Sequence, residues 1–329
     1  MTAGCASLKT VAWLAAAAML VCGSVAAQPA AAQDWPQNAV KLIIPFGAGS
    51  SVGTAGRLVA DKLQAIWGKP VIVEPRPGGD AFVAISALAT ANDGHTLLLM
   101  PSSAFVAHPY RYKTLPYDRE RDLVPVAQMS VAVAGLAVPA ASGMKTLKDF
   151  AERARANPGK LNVAAAPSTS EMMLDVFIKQ QGLNVTKVPY RDPVQGVADL
   201  LAGRLDAMLA AITIFQSGID AGTLRLLSVT GQKRTSTNPD VATADEQGHP
   251  QLGIEGVIGV FAPPSMPANV RARLAADFLK AATDKDVVGR LAAIGQVSAP
   301  GDAAALSQSI ARQQAEFEAM AKIAPVDLK

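Results

Sequence analysis

The sequence predicts an α/β fold of two lobes that are joined by two extended chain crossings. Short β-branched apolar runs alternate with longer helical patterns, and this alternation occurs twice along the chain. Extended segments at Val131–Val138 and Gly256–Phe261 separate the two units and are interpreted as hinge strands. The predicted boundaries are residues 33–132 plus 254–329 for lobe 1 and residues 133–253 for lobe 2.

The first unit has the order βαβαβ, which is typical of a parallel sheet with helices on its faces. In its first helix, apolar residues recur at spacings of three and four, which places them on one face. The predicted elements are strand Lys41–Phe46, helix Thr54–Trp67, strand Pro70–Glu74, helix Asp80–Ala91 and strand Thr96–Met100.

The second unit repeats this alternation, and the chain ends in helical segments beyond Asn269. The last of these is a long helix predicted from Asp302 to about Ile323. The elements of the second unit are helix Thr146–Ala156, strand Leu161–Ala166, helix Glu171–Gln181, strand Thr186–Tyr190, helix Val194–Ala202, and strands Leu205–Ala211 and Leu224–Val229.

Residues 1–32 have the features of a secretory signal peptide. A single charge, Lys9, precedes an apolar, alanine-rich run over Val11–Val21, and small residues follow it. The run is shorter than the roughly 20 residues that a membrane-spanning helix needs. We therefore expect export, with cleavage near Ala27 or Ala32.

Composition limits the function further. Both cysteines, Cys5 and Cys22, lie inside the signal segment, so the exported chain is expected to contain no disulfide. Cys22 leaves a lipoprotein open, although Val21 before it is bulkier than the small residue that such processing favours. The formal charge is +3, and basic and acidic residues are interspersed, which predicts no nucleic-acid partner.

Residues suited to binding an anion follow predicted strands, where open α/β sheets bind their ligands. The first loop, Gly47–Gly53, is rich in glycine and carries Ser50 and Ser51. Free N–H groups and the dipole at the start of the next helix favour a negative group, while either serine can cap that helix. A loop built only for a tight turn stays an open alternative.

The other candidate loops repeat this logic. Pro75–Asp80 leads into a helix through two glycines, and Asp80 is interpreted as its N-cap because a free carboxylate would repel an anion. Ser102 and Ser103 follow the third strand and offer hydroxyl groups. In the second unit Ser168 and Thr169 do the same, although Ser168 with Glu171 also fits a capping box.

The first loop also approaches a dinucleotide-binding fingerprint without meeting it. Its spacing is G-x-G-x-x-x-G, one residue longer than the fingerprint requires. The acidic Glu74 that ends the second strand leads into a proline-broken loop. We therefore expect no nucleotide cofactor.

Six segments follow one another along the chain: PFGAGSSVGTAGRLVADKL, VIVEPRPGGDA, GHTLLLMPSS, KLNVAAAPSTSEMM, VPYRDPVQGVADLLAGRLDAML and LRLLSVTGQKR. Taken in this order, they resemble the Bug-type periplasmic solute-binding receptors of tripartite tricarboxylate transporters. The order and spacing of the segments, more than any one of them, carry this resemblance, which extends from Trp35 to the final helices. It implies a type II (Venus flytrap) periplasmic binding protein fold, a periplasmic location, a small carboxylate ligand and a membrane permease as partner.

The resemblance also implies roles for individual residues. In such receptors the first two loops hold one carboxylate through backbone N–H groups and ordered waters, and a serine turn of the second lobe adds further contacts. The residues at the matching positions are Phe46, Gly49, Ser50, Ser51, Gly79, Asp80 and Ala81 in the first lobe, and Ser168 and Thr169 in the second.

Three departures from the family pattern bear on the ligand. Gly53 and Ala210 stand where the family usually has aspartate, and Asp80-Ala81-Phe82 replaces smaller residues. The missing acids would have accepted hydrogen bonds from an ammonium or hydroxyl group. The hypothesis is therefore a dicarboxylate or an aromatic carboxylate rather than an amino acid, and it fails if a free amino acid binds more tightly than any dicarboxylate tested.

Four side chains are candidates for contacts with the rest of such a ligand. Phe82, Phe105 and Ile212 are candidates for an apolar wall, with a place in the core as the open alternative for each of them. Arg191 can pair with a distal carboxylate through two parallel hydrogen bonds, while a solvated surface arginine is the open alternative.

No pattern in the sequence predicts catalysis. The three histidines lack metal-ligand spacing, and there is no G-x-S-x-G nucleophile motif. We expect a monomeric binding protein without a cofactor or metal, and not an enzyme. An exported α/β hydrolase-like enzyme with a dispersed triad, and a receptor that feeds a signalling partner, remain the alternatives.

Overall fold

Two β-sheets flanked by helices form the framework of the protein. A computed structural model describes residues 35–166, 169–190, 192–231 and 233–325. The predicted signal peptide, residues 1–32, lies outside these ranges, as do Ser168 and Arg191. Within the described ranges every helix is too short or too polar to cross a lipid bilayer.

The strands and helices alternate along most of the chain. The strands are β1 (Val40–Ile44), β2 (Val71–Pro75), β3 (Thr96–Pro101), β4 (Val124–Ala132), β5 (Ala134–Pro139), β6 (Asn162–Ala165), β7 (Thr186–Lys187), β8 (Ala207–Ala211), β9 (Leu224–Val229), β10 (Gly256–Ala262) and β11 (Gln296–Asp302). The helices are α1 (Ser51–Trp67), α2 (Phe82–Ala89), α3 (Ser102–Ala107), α4 (Arg119–Asp122), α5 (Leu147–Ala156), α6 (Thr169–Gln180), α7 (Pro193–Leu201), α8 (Gln216–Asp220), α9 (Ala268–Ala282), α10 (Lys285–Ala293) and α11 (Ala303–Ile323).

The first sheet contains six strands in the order β11-β4-β10-β3-β1-β2. β1 pairs in parallel with both β2 and β3, as the βαβαβ pattern predicts. β10 pairs antiparallel with β3 and β4, and β11 pairs antiparallel with β4. Residues 124–130 of β4 and all of β11 were not predicted from the sequence.

The second sheet contains five strands in the order β7-β6-β8-β5-β9. β6 pairs in parallel with β7 and β8, and β5 pairs antiparallel with β8 and β9. The strand predicted over Thr186–Tyr190 is shorter than expected, because only Thr186 and Lys187 pair with β6.

The chain changes sheets twice, which produces the two-lobed α/β arrangement. It passes from the first sheet to the second between Ala132, at the end of β4, and Ala134, at the start of β5. It returns between Val229, at the end of β9, and Gly256, at the start of β10. The predicted lobes, 33–132 plus 254–329 and 133–253, stay a prediction about where the movable bodies begin and end.

Local capping explains where several helices begin and end. In α5, Thr146 and Asp149 form a reciprocal capping box, which satisfies two backbone donors at the first turn. Asp192 caps α7, and the next residue is a proline at the first helical position, where its missing N–H costs nothing. Gly68 ends α1 in the left-handed conformation with φ 62°.

Helices from the two sheets meet at α6. The C-terminal helix α11 packs on β4, β10 and α3, and both α11 and α3 also contact α6. Phe317 of α11 is buried and stacks on Tyr110, with ring centroids 6.2 Å apart. The Phe317–Tyr110 stack lies within the first-sheet half of the chain, and the contacts of α11 and α3 with α6 are the ones that join helices of the two sheets.

Candidate functional site

Three loops of the first sheet lie side by side. They follow β3, β1 and β2, which are parallel neighbours, so their carboxyl ends meet at one edge of the sheet. The loop residues predicted to bind a ligand therefore come from adjacent strands. The residues within each loop decide what that edge can bind.

The first loop is organised by Ser50, the N-cap of α1. Its hydroxyl accepts a hydrogen bond from the Gly53 N–H at 3.0 Å, and its own N–H donates to the Gly47 carbonyl at 3.0 Å. Because both groups of Ser50 serve the loop, the cap leaves the N–H groups of Ser51 and Val52 as first-turn donors for a ligand. The Ser50 N–H is thus used within the loop, whereas the hydroxyl still has its own proton to donate, so the predicted binding role of Ser50 stays a prediction.

The neighbouring residues keep the first loop open to solvent. Phe46 is 36% exposed, Gly49 is also exposed, and Ser51 is half-buried. The Arg57 guanidinium donates to the Ala48 carbonyl at 2.7 Å and ties the loop to α1. A small anion can therefore reach the start of the helix.

Gly53 has no room for a side chain in this loop. A Cβ atom placed there would lie 2.6 Å from the Ala48 carbonyl oxygen and 3.0 Å from that of Gly47. An aspartate at this position would require the backbone of the loop to move. A chain with aspartate at position 53 would therefore need a different loop geometry. The absence of the family's aspartate at Gly53 thus goes together with the loop conformation seen here.

The second loop contains an unusual run of left-handed backbone. Gly78, Gly79, Asp80 and Ala81 have φ angles of 122°, 57°, 52° and 74°. Asp80 and Ala81 are the two non-glycine residues with positive φ among the described residues. Such a conformation is costly for residues with a Cβ atom and persists where neighbouring contacts impose it.

The contacts of Asp80 supply that constraint and correct its predicted role. Its carboxylate forms an ion pair with Arg111, and the Tyr112 hydroxyl donates to the same Oδ2 atom at 3.1 Å. The N-cap interpretation of Asp80 is wrong, because the N-cap of α2 is Ala81, which makes no side-chain capping bond. The side chain of Asp80 instead points to the segment after α3.

His108 holds the backbone of the same turn from below. The side chain is fully buried, its Nε2 atom lies 2.9 Å from the Asp80 carbonyl oxygen, and its Nδ1 atom lies 2.8 Å from the Tyr117 hydroxyl. A carbonyl only accepts, so Nε2 carries a proton, and Nδ1 of the neutral ring accepts from the tyrosine. Burial lowers the pKa of His108, although the Asp80 carboxylate opposes that shift, and the neutral form follows.

Aromatic rings complete this support. Phe82 packs against His108 with ring centroids 4.6 Å apart and against Tyr112 at 5.0 Å. The Phe82 side chain thus packs against the residues that support the second loop, instead of forming part of an apolar wall as predicted. The sequence contained one signal of the cluster, a His-Pro-Tyr-Arg-Tyr run over 108–112, but no spacing linked it to the second loop.

The third loop differs from the prediction most clearly. Ser102 and Ser103 begin α3 and are buried. The Ser102 hydroxyl lies 2.6 Å from Gln313 Oε1 and 3.2 Å from the Val257 carbonyl oxygen, so it faces the interior rather than a ligand. Phe105 is also in the core, where it packs edge-on against Phe261. The ligand-binding prediction for Ser102 and the wall prediction for Phe105 are therefore wrong.

Fewer of the described site residues come from the second sheet than from the first. Thr169 begins α6 and is half-buried, whereas Ile212 is buried, which rules it out as part of an exposed apolar wall. The Tyr190 hydroxyl donates to Asp199, which fixes the chain just before Arg191. That bond and burial raise the pKa of Tyr190 to about 12, with burial as the larger cause.

A cavity of about 240 Å³ opens at the β7 edge of the second sheet. An anion there would face the carboxylates of Glu171 and Asp175, of which Asp175 pairs with Lys187 Nζ at 2.5 Å. We therefore do not assign the cavity to carboxylate binding. Its lining residues, none of them predicted as ligand-binding, are Val163, Ala164, Ala165, Glu171, Leu174, Asp175, Lys187, Val188, Pro189 and Tyr190.

In the part of the chain that the structure describes, no group of three or more His, Cys, Asp or Glu side chains is arranged to hold a metal ion. The donors that the first-sheet edge does present are backbone N–H groups at the start of α1 and a left-handed turn with a compensated carboxylate. These features suit a small anion.

Sequence relatives share most of the chain. A UPF0065 protein of a Pseudomonas species is 34% identical over 271 residues, which cover 81% of this chain and 80% of that protein. A UPF0065 protein of Bordetella bronchiseptica is 30% identical over 91% of this chain and 89% of its own length. The protein BugT of Bordetella pertussis is 29% identical over 82% of this chain and 84% of its own length.

Solved structures share the fold. MatC from Rhodopseudomonas palustris, solved with bound malate, is 25% identical and superposes with a TM-score of 0.73 over 87% of this chain and 99% of its own. Another R. palustris protein, solved with adipate, is 24% identical, with a TM-score of 0.79 over 90% and 100% of the two chains. These likenesses confirm the predicted two-lobed periplasmic binding protein fold.

Residues 55–324 match the profile of a family described as "Tripartite tricarboxylate transporter family receptor". The match spans the second sheet, the first sheet apart from β1, and the loops that follow β2 and β3; it begins after the loop Gly47–Gly53 that follows β1. Together with the BugT relative it confirms the resemblance on which the sequence-based prediction rested. The chain therefore belongs to the TctC family of tripartite tricarboxylate transporter receptors.

Proposed function

We propose that this receptor captures a small organic carboxylate, either a dicarboxylate or an aromatic carboxylate, and delivers it to a membrane permease of the tripartite tricarboxylate type. The observation that carries the proposal is the pairing of two anion-compatible loops on neighbouring parallel strands. One presents first-turn N–H groups at Ser51 and Val52, and the other is the left-handed turn Gly79–Ala81. Malate in the related MatC structure supports the same ligand class.

The mechanism follows from the two-lobed architecture. The solute binds first to the loops after β1 and β2, and closure about the chain crossings adds contacts from the second lobe, including Thr169 and, as predicted, Ser168 and Arg191. Each charge-assisted hydrogen bond contributes about 1.5–3 kcal/mol, so several support roughly micromolar affinity. The protein acts as a monomer without a cofactor, and binding leaves the solute chemically unchanged.

The departures from the family pattern narrow the ligand. Gly53 offers no carboxylate to an ammonium group, and Ala210 is a fully buried alanine of β8. The Asp80 carboxylate is engaged by Arg111 and Tyr112. An amino acid would therefore leave its ammonium group without an acidic partner in these loops, which favours a dicarboxylate or an aromatic carboxylate.

A thermal-shift screen of the exported protein tests this proposal. The panel contains malate, adipate, citrate, benzoate, phthalate, glutamate and, as a negative control, NAD. A ligand that binds the native state raises the apparent melting temperature by mass action, and we expect this for one carboxylate class. Tighter binding of glutamate than of any dicarboxylate, or a response to NAD alone, would contradict the proposal.

Two further measurements test location and partner. Mass spectrometry of the exported protein should show a new N-terminus directly after Ala27 or Ala32. Cells that lack the chain should lose uptake of the identified carboxylate and regain it with the wild-type chain. Normal uptake with a lost transcriptional response to that carboxylate would instead favour the signalling receptor.

A further inference from the structure

A carboxylate in the second loop poses an electrostatic problem for a receptor of anions. Asp80 lies in the middle of the left-handed turn that we propose holds the ligand carboxylate. Two like charges at close range in a partly desolvated site repel each other strongly. A site with an uncompensated Asp80 would therefore bind dicarboxylates weakly.

Arg111 provides the compensation. Its side chain is 12% exposed and that of Asp80 is 25% exposed, so the ion pair is shielded from bulk solvent and is weakly screened by salt. The Tyr112 hydroxyl donates to the same carboxylate oxygen at 3.1 Å, and the Arg111 guanidinium carbon lies 5.9 Å from the centre of the Tyr112 ring. The three side chains thus form one polar unit beneath the turn.

The backbone of Asp80 is held independently of its charge. His108 donates to the Asp80 carbonyl at 2.9 Å, and Phe82 packs on the His108 ring. Asparagine tolerates the left-handed region well and retains an oxygen for the Tyr112 hydroxyl. The charge at position 80 can therefore be removed while the geometry of the turn is largely kept.

We propose that Arg111 is a positioning residue that makes the second loop selective for anionic solutes, because it neutralises Asp80 and directs its carboxylate away from the ligand. This inference rests on the proposed function and deepens it. Arg111 acts through Asp80, without contact with the solute. The receptor's preference for carboxylates thereby depends on a residue about thirty positions away from the loop.

The two residues can be tested by a double-mutant cycle with malate, adipate and citrate as probes. Isothermal titration calorimetry gives the Kd, and thermal unfolding without ligand gives the Tm, for wild type, Arg111→Met, Asp80→Asn and the double variant. We expect Arg111→Met to weaken binding about tenfold or more, because it leaves Asp80 uncompensated. Asp80→Asn should bind more tightly than wild type, since Arg111 then adds net positive charge.

The double variant distinguishes the proposal from its alternatives. If Arg111 acts through Asp80, Asp80→Asn in the Arg111→Met background should restore the Kd to within about threefold of wild type. If Arg111 instead contacts the solute directly, or only supports the fold, removing Asp80 restores no affinity. An unrestored Kd would overturn the inference even if the Tm recovered.

Two more variants keep the result interpretable. If Arg111→Met fails to fold, Arg111→Lys provides the test. This variant preserves the charge and should retain most of the affinity; loss of binding by Arg111→Lys would overturn the inference. Arg290→Met removes an exposed arginine that pairs with Asp286 and should leave the Kd unchanged. If the wild-type protein binds none of the carboxylates, both the proposed function and this inference fail. If the wild-type protein binds a carboxylate and Arg111→Met has the same Kd, only this inference is overturned.

Discussion

The carboxylate of Asp80 and the guanidinium of Arg111 form an ion pair that joins the strained turn after β2 to the segment after α3. The turn holds Asp80 at φ 52° and Ala81 at φ 74°. His108 bonds to the carbonyl of the same aspartate. The energetic cost of the left-handed backbone is thus offset by contacts that converge on one residue.

Ala81→Val should destabilise the protein by about 2 kcal/mol or more, because a β-branched residue is strongly disfavoured at positive φ. Ala81 is also only 6% exposed, which leaves little room for two extra methyl groups. Urea unfolding measures the change. Ala89→Val, at the end of the same helix α2, is the matched control and should cost less than 1 kcal/mol, as is usual for a half-buried helical site. Equal losses in the two variants would contradict the strain interpretation.

Gly53→Ala should destabilise the first loop although alanine is the better helix former. The added Cβ would lie 2.6 Å from the Ala48 carbonyl oxygen, and the resulting strain of about 1–3 kcal/mol exceeds the roughly 1 kcal/mol gained in helix propensity. Carboxylate affinity should fall as well, since the loop must shift. Gly47→Ala, where nothing lies within 4 Å of the added atom, should change the free energy of unfolding by less than about 0.5 kcal/mol.

Stability should fall as the pH drops below about 6.5, the value at which an unfolded histidine titrates. His108 faces Asp80, Arg111, Tyr112 and Tyr117, and its pKa in the folded protein is lowered mainly by burial. Between its folded and unfolded pKa values the unfolded chain binds more protons, so the contribution of His108 is present at pH 8 and lost on acidification.

Urea unfolding at pH 8, 6.5 and 5 measures this effect. His108→Gln should be less stable than wild type at pH 8, and the gap should narrow toward pH 5. His249→Gln serves as the comparison, because burial lowers the pKa of His249 as well. His249 therefore makes its own contribution to the loss of stability on acidification. If the free energies of unfolding of wild type and His108→Gln change in parallel with pH, the pH dependence does not come from His108.

Glu316→Gln should stabilise the protein at pH 7. Burial raises the pKa of the Glu316 carboxyl, nearby Arg312 opposes the shift, and Glu255 adds to it. The ionised form therefore costs stability at pH 7, and this cost disappears as the pH falls below about 4.5, where the unfolded carboxyl is protonated too. Thermal unfolding at pH 7 and pH 4 checks the sign. Glu318→Gln is the control, since its bond to Lys322 lowers the pKa of Glu318 and its loss should not stabilise.

The periodic segments of the fold could be predicted closely from local patterns. The helix predicted over Thr54–Trp67 is Ser51–Trp67, and the final helix predicted from Asp302 is Ala303–Ile323. The strand Leu224–Val229 has the predicted bounds. These elements carry apolar residues at a regular period, which reflects the face each turns to the core.

Elements without such a period escaped prediction. β11 contains Pro300 and Gly301 and, among the described residues, pairs only with β4, where the register shifts between Ser298 and Gly301. Its strand character therefore comes from a partner more than 160 residues away in sequence, at Ala127–Ala132. The strand propensity of neighbouring residues does not indicate a pairing partner that is so distant in sequence.

The sequence by itself determined the α/β class, the family and the positions of the glycine-rich loops, because each of these is written in local periodicity and in motifs of contiguous residues. Only the tertiary structure decided which side chains face the ligand edge. It turned Ser102 and Phe105 inward and paired Asp80 with Arg111. The direction of a loop side chain depends on neighbours brought in by folding, and no spacing along the chain records those neighbours.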